Sequence, residues 1–349
     1  MADVELGVEG RLARIHLDRP KALNALNHPM VRAVSSALAR WKDDPDIAAV
    51  LVTGAGERAF CAGGDVLEIA RLAREEGVAA ATPFFFDEYR MNWRIKHFPK
   101  PFLSILDGVT MGGGVGISVH GTHRIATEAT LFAMPETAIG MFPDVGGTHL
   151  LGTMPGGLGN WLALTGARLG PGDALDAGIA THHCPRAGVD ALIDALRAAP
   201  DAPAVERAVR ARAAGPEPGE IAAHHAAIEA VFDRPSVADI AAAAAAEPTG
   251  WGGEQWGLIE GRSPTSVRLA FAQLLRGRAL TFDDAMRLEY RIVHRILAGH
   301  DFFEGVRAVL VDKDHAPRWR PATLAEIDEA VIEAHFAELA GGDLPLDWS

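Results

Sequence analysis

Two glycine turns and two acids carry the first sign of chemistry. Phe60-Cys61-Ala62-Gly63-Gly64-Asp65 and Met111-Gly112-Gly113-Gly114-Val115-Gly116 each follow an apolar segment. Glu136, in Met134-Pro135-Glu136, and Asp144, in Phe142-Pro143-Asp144-Val145-Gly146-Gly147, come downstream. Each glycine turn can aim one backbone N–H at the same carbonyl oxygen, because no Cβ stands in the way. Two neighbouring carboxyls push their pKa values apart, which gives one base or nucleophile and one acid. The combination points to chemistry on an acyl carbonyl, with an enolate or tetrahedral oxyanion to stabilise.

Each feature also has a plainer reading. The glycine run serves close helix–strand packing equally well. A nucleotide-binding loop fits it poorly, because no ribose-binding acid follows at the expected offset. Asp65 suits a helix N-cap, and Cys61, with no paired histidine, suits a small buried thiol. Ser118 and His120 lie two apart on an expected helix and face different ways, so a serine hydrolase is a poor fit. His182-His183-Cys184 has no matching second cluster, and no metal site is expected. Glu136 and Asp144 gain weight from their position just beyond strand ends, where α/β sites gather.

The elements that must hold these residues follow from periodicity. Leu12, Ile15 and Leu17 suggest a strand over 11–17, followed by a turn and loop over 19–27. Met30, Val31, Val34, Leu38 and Trp41 recur at helical spacing behind Pro29, a first-turn proline. Residues 47–53 and 101–106 are branched apolar runs of the buried parallel kind. Residues 66–89 read as helix, broken near Gly77 and Pro83. An apolar helix should run through Ile117, Val119 and His120, and short strands lie at 124–126 and 131–133. Strand alternating with helix predicts an α/β core. From Pro185 onward, alanine, arginine and glutamate dominate and strand signals are scarce. This predicts two regions: 1–185 as the α/β core and 186–349 as a helical layer carrying a lid or oligomer contacts. Breaks are expected at 200–203, 215–219 and 248–253, and nothing in this second region resembles a catalytic constellation.

Composition narrows the classes. The chain has 349 residues, 48% hydrophobic and 23% charged, ordinary for a globular protein. A formal net charge of −13 argues against sequence-independent nucleic-acid binding. No apolar run reaches the roughly 18–20 residues of a membrane span, and the N-terminus lacks a signal-peptide pattern. Two cysteines give no disulfide framework, so the expected home is the cytoplasm.

At the level of motifs the sequence resembles the crotonase (enoyl-CoA hydratase/isomerase) superfamily. The residues that carry this are Arg19-Pro20-Lys21-Ala22-Leu23-Asn24-Ala25-Leu26, Cys61-Ala62-Gly63-Gly64-Asp65 and the run 112–116, in that order. Within it the chain is most similar to the 3-hydroxyisobutyryl-CoA hydrolase family, through residues 108–121, 132–140, 142–147 and Ser263-Pro264-Thr265-Ser266. The resemblance implies a spiral of ββα repeats followed by helices, and a coenzyme A thioester as substrate. No separate cofactor is implied, since coenzyme A enters with the substrate, and a trimer-based homo-oligomer is expected. It implies Gly64 and Gly113 as oxyanion donors, Glu136 and Asp144 as catalytic carboxyls, and Glu88 as a substrate contact. Lys21, Ala22, Leu23 and Ala62 would hold the coenzyme's adenine and phosphate end. Hydratases of the superfamily carry a second glutamate where this chain has Gly116, and usually a small residue where it has Asp144. The expected reaction is therefore hydrolysis of a short 3-hydroxyacyl-CoA, of the kind met in valine breakdown. A hydratase or isomerase of the same fold is the alternative.

Overall fold

The computed structural model describes residues 3–348. Nine strands form two sheets: β1 (Val4–Glu9), β2 (Leu12–Leu17), β3 (Ala49–Gly54), β4 (Ala59–Cys61), β5 (Phe102–Leu106), β6 (Val109–Met111), β7 (His123–Ala126), β8 (Leu131–Ala133) and β9 (His182–His183). The larger sheet has the order β1-β2-β3-β5-β7-β9, and the smaller β4-β6-β8. After the antiparallel β1–β2 pair, all pairing between the named strands is parallel. Three successive units, β3–β4, β5–β6 and β7–β8, each lay one strand in the large sheet, turn a short corner, and lay the next in the small sheet. Helical structure then returns the chain. This is the expected spiral of ββα repeats.

The corners are tight. The Asn24 side chain pins the first by donating to Ala55 O and Ala59 O, both at 2.9 Å. The second needs Gly108, whose φ is +103° and whose Cβ would stand 2.7 Å from Arg58 O. The branched apolar runs are buried on both faces, which explains their lack of alternation. One face of the large sheet, including Ile15, Val50, Val52, Phe102 and Leu106, enters the main core. The other, including Leu12, Leu51, Leu103, Ile105 and Ile125, packs in a second cluster with Leu192, Leu196, Val205 and Val209. These last come from the helices Arg186–Arg197 and Ala202–Arg210.

Of the helices in the first half of the described chain, these lie beside the glycine turns and the acids: α1 (His28–Trp41), α2 (Val66–Glu75), α3 (Val78–Lys96), the single turn α4 (Gly113–Gly116) and α5 (Gly147–Gly152). Asn27 caps α1, accepting from Met30 N at 3.0 Å, and Pro29 lies in its first turn. The expected break at Gly77 separates α2 from α3, but Pro83 sits inside α3 without ending it. Proline there sacrifices one backbone bond. Burial of Phe84, Phe85, Glu88, Tyr89 and Asn92 outweighs it. The helix expected through His120 stops after one turn. β1 has no counterpart in the periodicity, because only Val4 of its apolar residues is buried.

Beyond Pro185 the described structure is helical, with breaks between Arg197 and Ala202, Arg210 and Glu220, and Ala246 and Trp251. The later helices include Pro264–Gly277, Phe282–Ile296 and Asp301–Val306, the last continuing into a π-helical turn, Arg307–Val311. The main apolar core runs without interruption from Val4 to Leu344. Among the described residues no helix is long and apolar enough to cross a membrane.

Candidate active site

All three strands of the small sheet are parallel, and their C-terminal ends lead to Gly63-Gly64, Gly112-Gly113 and Pro135-Glu136. A cavity of about 280 Å³ opens there, lined on the polar side by Gly64, Glu88, Gly113, Glu136 and Asp144. Sheet topology therefore gathers residues that lie far apart along the chain. The site lies where parallel α/β sheets place their ligands.

The two glycine turns touch. The Gly64 nitrogen lies 3.1 Å from the point where a Gly113 Cβ would stand, and the Gly63 carbonyl carbon is equally close. Gly112 reaches this turn with φ +48°. Among the described residues the N–H groups of Gly64 and Gly113 take no acceptor. The Gly113 N–H opens a helical turn, where it has no intrahelical partner. Both therefore remain available to a ligand oxygen.

Three carboxyls surround this point. Glu88, on α3, is 2% exposed; its Oε1 has no partner and sits 2.6 Å from the Gly113 Cβ position. Glu136 opens a 3-10 turn, Glu136–Ile139, and its buried Oε2 is also unpartnered. Asp144 is 5% exposed and accepts from Tyr89 Oη at 2.8 Å. Burial first, and the charge of Asp144 second, push Glu88 and Glu136 well above the usual carboxyl range. Burial raises Asp144 to about 7, held back by the Tyr89 hydroxyl and its own backbone. Asp144 is thus the first of the three to ionise, and its charge keeps protons on the others. Tyr89 stays a donor, since burial and Asp144 push its phenol well up.

The coenzyme candidates divide. Ala62 lines the cavity. Lys21 and Ala22 are exposed, and Leu23 half-buried, on the neighbouring loop. That loop is fixed to the site by Ala62 N donating to Leu23 O at 3.0 Å and Leu26 N donating to Gly63 O at 2.8 Å. Asp65 caps α2, accepting from Glu68 N and from Arg19. Cys61 is a buried thiol pushed up to about 12 by burial. The Ser118 hydroxyl donates to Gly114 O at 2.6 Å. His120 Nε2 donates to Val145 O at 2.6 Å, and burial lowers its pKa to about 3. The two are employed separately in backbone bonds. Among the described residues no group of three or more His, Cys, Asp or Glu is placed to hold a metal.

Gly116 explains itself sterically. A Cβ there would stand 2.6 Å from Asn92 Nδ2 and 2.8 Å from Val145 Cβ. Asn92, fully buried on α3, occupies the space that a side chain at 116 would need.

The second half contributes more than its sequence suggests. Val309 and Leu310 of the π-helical turn line the cavity beside Ile139 and Met141. Gln273 donates to Pro143 O, and Glu289 accepts from Gly146 N at 2.7 Å and Thr148 N at 2.8 Å. A signal for Glu289 is present in the sequence: it falls on the buried stripe Phe282, Ala285, Met286, Ile292, Val293, Ile296. An acid in such a stripe demands partners.

Compared with known proteins, the chain matches the enoyl-CoA hydratase/isomerase family over residues 12–336. It is 41% identical over 340 residues to 3-hydroxyisobutyryl-CoA hydrolase, mitochondrial, of Xenopus tropicalis, covering 95% of this chain and 88% of that protein. To the Homo sapiens protein of the same name it is 39% identical over 350 residues, 98% of this chain and 90% of that one. Among solved structures, a carnitinyl-CoA dehydratase from Mycobacterium thermoresistibile superposes with a TM-score of 0.92, 43% identity and 98% coverage of both chains. An enoyl-CoA hydratase from Rhodobacter sphaeroides 2.4.1 gives 0.91 and 39%, covering 99% of this chain and 100% of that one.

Proposed function

The chain belongs to the enoyl-CoA hydratase/isomerase family, and we propose that it hydrolyses a short 3-hydroxyacyl-CoA thioester, of the 3-hydroxyisobutyryl-CoA type, to the 3-hydroxy acid and coenzyme A. One observation carries this: two unpartnered N–H groups and three buried carboxyls meet at one cavity, while position 116 has no room for a carboxylate. The names of relatives about 40% identical over nearly the whole chain support the same reading.

In this mechanism the thioester oxygen lies between the Gly64 and Gly113 N–H groups, which stabilise the negative charge that develops there. Loss of one such donor typically costs about 100- to 1,000-fold in rate. Glu136 and Asp144 act as a pair holding one proton between them. When the proton rests on Asp144, Glu136 is free to take a proton from water, or to attack the carbonyl and form an anhydride. As the tetrahedral intermediate collapses, the carbon–sulfur bond breaks and Asp144 gives its proton to the departing sulfur. On the water route Glu136 then holds the proton taken from water, so the pair again carries one. On the anhydride route water next cleaves the anhydride, giving its proton to Asp144 and releasing the 3-hydroxy acid and the Glu136 carboxylate, so the pair returns to its starting state. Glu88 binds the substrate's 3-hydroxyl, which gives a preference for hydroxylated acyl groups. The cavity accommodates an acyl group, not a whole coenzyme. The adenine and phosphate end belongs on the exposed loop Lys21, Ala22, Leu23, beside Ala62. The two buried cysteines are unbonded, in keeping with a reducing compartment, which we take to be the cytoplasm.

The test is free-thiol release from 3-hydroxyisobutyryl-CoA beside absorbance loss from crotonyl-CoA, for the wild type and Asp144→Asn. Thiol release that the variant loses is the expected result. Double-bond loss without thiol release would make the protein a hydratase, in line with the names of the two solved structures.

A further inference from the structure

The segment Pro143–Thr148, which carries Asp144, is held from outside at almost every peptide. Gln273 donates to Pro143 O, Tyr89 to the Asp144 carboxyl and His120 to Val145 O. Glu289 receives both Gly146 N and Thr148 N, one on each carboxyl oxygen. The segment needs this, because Val145 adopts φ +50°. A β-branched residue in the left-handed region is strained and persists only where its surroundings hold it. Gly146 follows with φ +90°, and a Cβ there would meet the His120 ring at 2.5 Å.

Among these holders Glu289 stands apart. It is fully buried and comes from the helix Phe282–Ile296, far along the chain from the segment. It alone brings a carboxyl. A neutral acceptor would satisfy one of the two N–H groups, whereas two carboxylate oxygens satisfy both. It also stands close enough for its charge to act on Glu136 and Tyr89, and for that of Asp144 to act on it. The groups facing the pair are Glu88 and Tyr89 from α3, Glu136 from the 3-10 turn and the neutral His120. No lysine or arginine is among the leading influences on either carboxyl.

We infer that Glu289 is a positioning residue for Asp144: its two oxygens fix the strained segment that aims the Asp144 carboxyl into the cavity. This rests on the proposed thioester hydrolysis for its kinetic consequence, but not for its structural one.

Two substitutions test the positioning. Glu289→Asp keeps the carboxyl but is one methylene short of spanning both N–H groups. Glu289→Gln keeps the length but sets its NH2 against one of the two donors. Each should lower kcat by at least about tenfold with KM within about threefold, because the substrate still binds while the Asp144 carboxyl is no longer aimed. The carbon-13 carboxyl resonance of Asp144 gives a readout that needs no turnover, and it should move from its wild-type position in both variants. The inference is overturned if that resonance stays in place, if KM rises in step with the loss of kcat, or if both variants lose kcat only in proportion to lost thermal stability. If the wild type releases no thiol while the Asp144 resonance still moves in both variants, the proposed reaction fails and the positioning role stands.

Discussion

Replacement of Asp144 by asparagine should make the folded protein more stable at alkaline pH while it removes activity. In the native state burial raises the Asp144 carboxyl from 3.8 to about 7. Between those values the folded chain holds a proton that the unfolded chain has released. Stability therefore falls as pH rises through this window, and the loss is complete above about 7. Linkage puts the cost of this group at about 2 kcal/mol at pH 5 and about 4 kcal/mol at pH 8. Asparagine has the same shape and its Oδ1 still accepts the Tyr89 hydroxyl, so the variant avoids the cost without losing the bond. Those figures are ceilings, because water entry and loop relaxation lessen the penalty of a buried charge. Removing the charge also eases Glu88 and Glu136, both of which Asp144 raises. Urea unfolding of both proteins at pH 5 and pH 8 measures the effect. The variant should gain more at pH 8 than at pH 5, by at least about 1 kcal/mol. A variant no more stable than wild type at pH 8, or one whose gain is equal at the two pH values, would refute the reasoning.

Three more outcomes are expected from the same geometry. Gly113→Ala places a Cβ 2.6 Å from Glu88 Oε1 and 3.1 Å from Gly63 C and Gly64 N; it should cut thiol release about 100- to 1,000-fold, measured against the unfolding midpoint to show that the chain still folds. Tyr89→Phe removes the hydroxyl that lowers the Asp144 pKa; the Asp144 limb of the pH–rate profile should move to higher pH. Gly116→Glu, which restores a second glutamate of the hydratase kind, should destabilise by about 1–3 kcal/mol through overpacking. Urea midpoints should show part of that recovered in Gly116→Glu/Asn92→Ala, the only one of the two with room for the carboxylate; crotonyl-CoA hydration, assayed in both, should be confined to it.

What the sequence reveals, and what it withholds, divides along the range of the interactions. Pro29 and Asp65 announce helix starts because a first-turn proline and a cap both act within three residues. The strands β3 and β5 are legible because burial on both faces leaves an unbroken apolar run. The glycine turns and Glu136 are visible for a similar reason: each sits just past a strand end, and a parallel sheet brings such ends together whatever the intervening length. Asp144 departs from the expectation, because it lies beyond the 3-10 turn Glu136–Ile139 and not at a strand end. β4, β6 and β9 have only two or three residues. Their strand character comes from the neighbour they pair with, so local pattern cannot reveal them. Pro83 misleads in the opposite direction, since a local rule against proline yields to the packing of Phe84, Phe85 and Tyr89. Tyr89, Gln273 and Glu289 are the hardest. Each looks like an ordinary helix residue until the fold sets it against Pro143–Thr148, and the partners of Gln273 and Glu289 are backbone groups that carry no side-chain signature. An acid in an apolar stripe still poses an answerable question, because a buried carboxyl requires donors. In this chain they are the N–H groups of Gly146 and Thr148, beside the residue on which the chemistry turns.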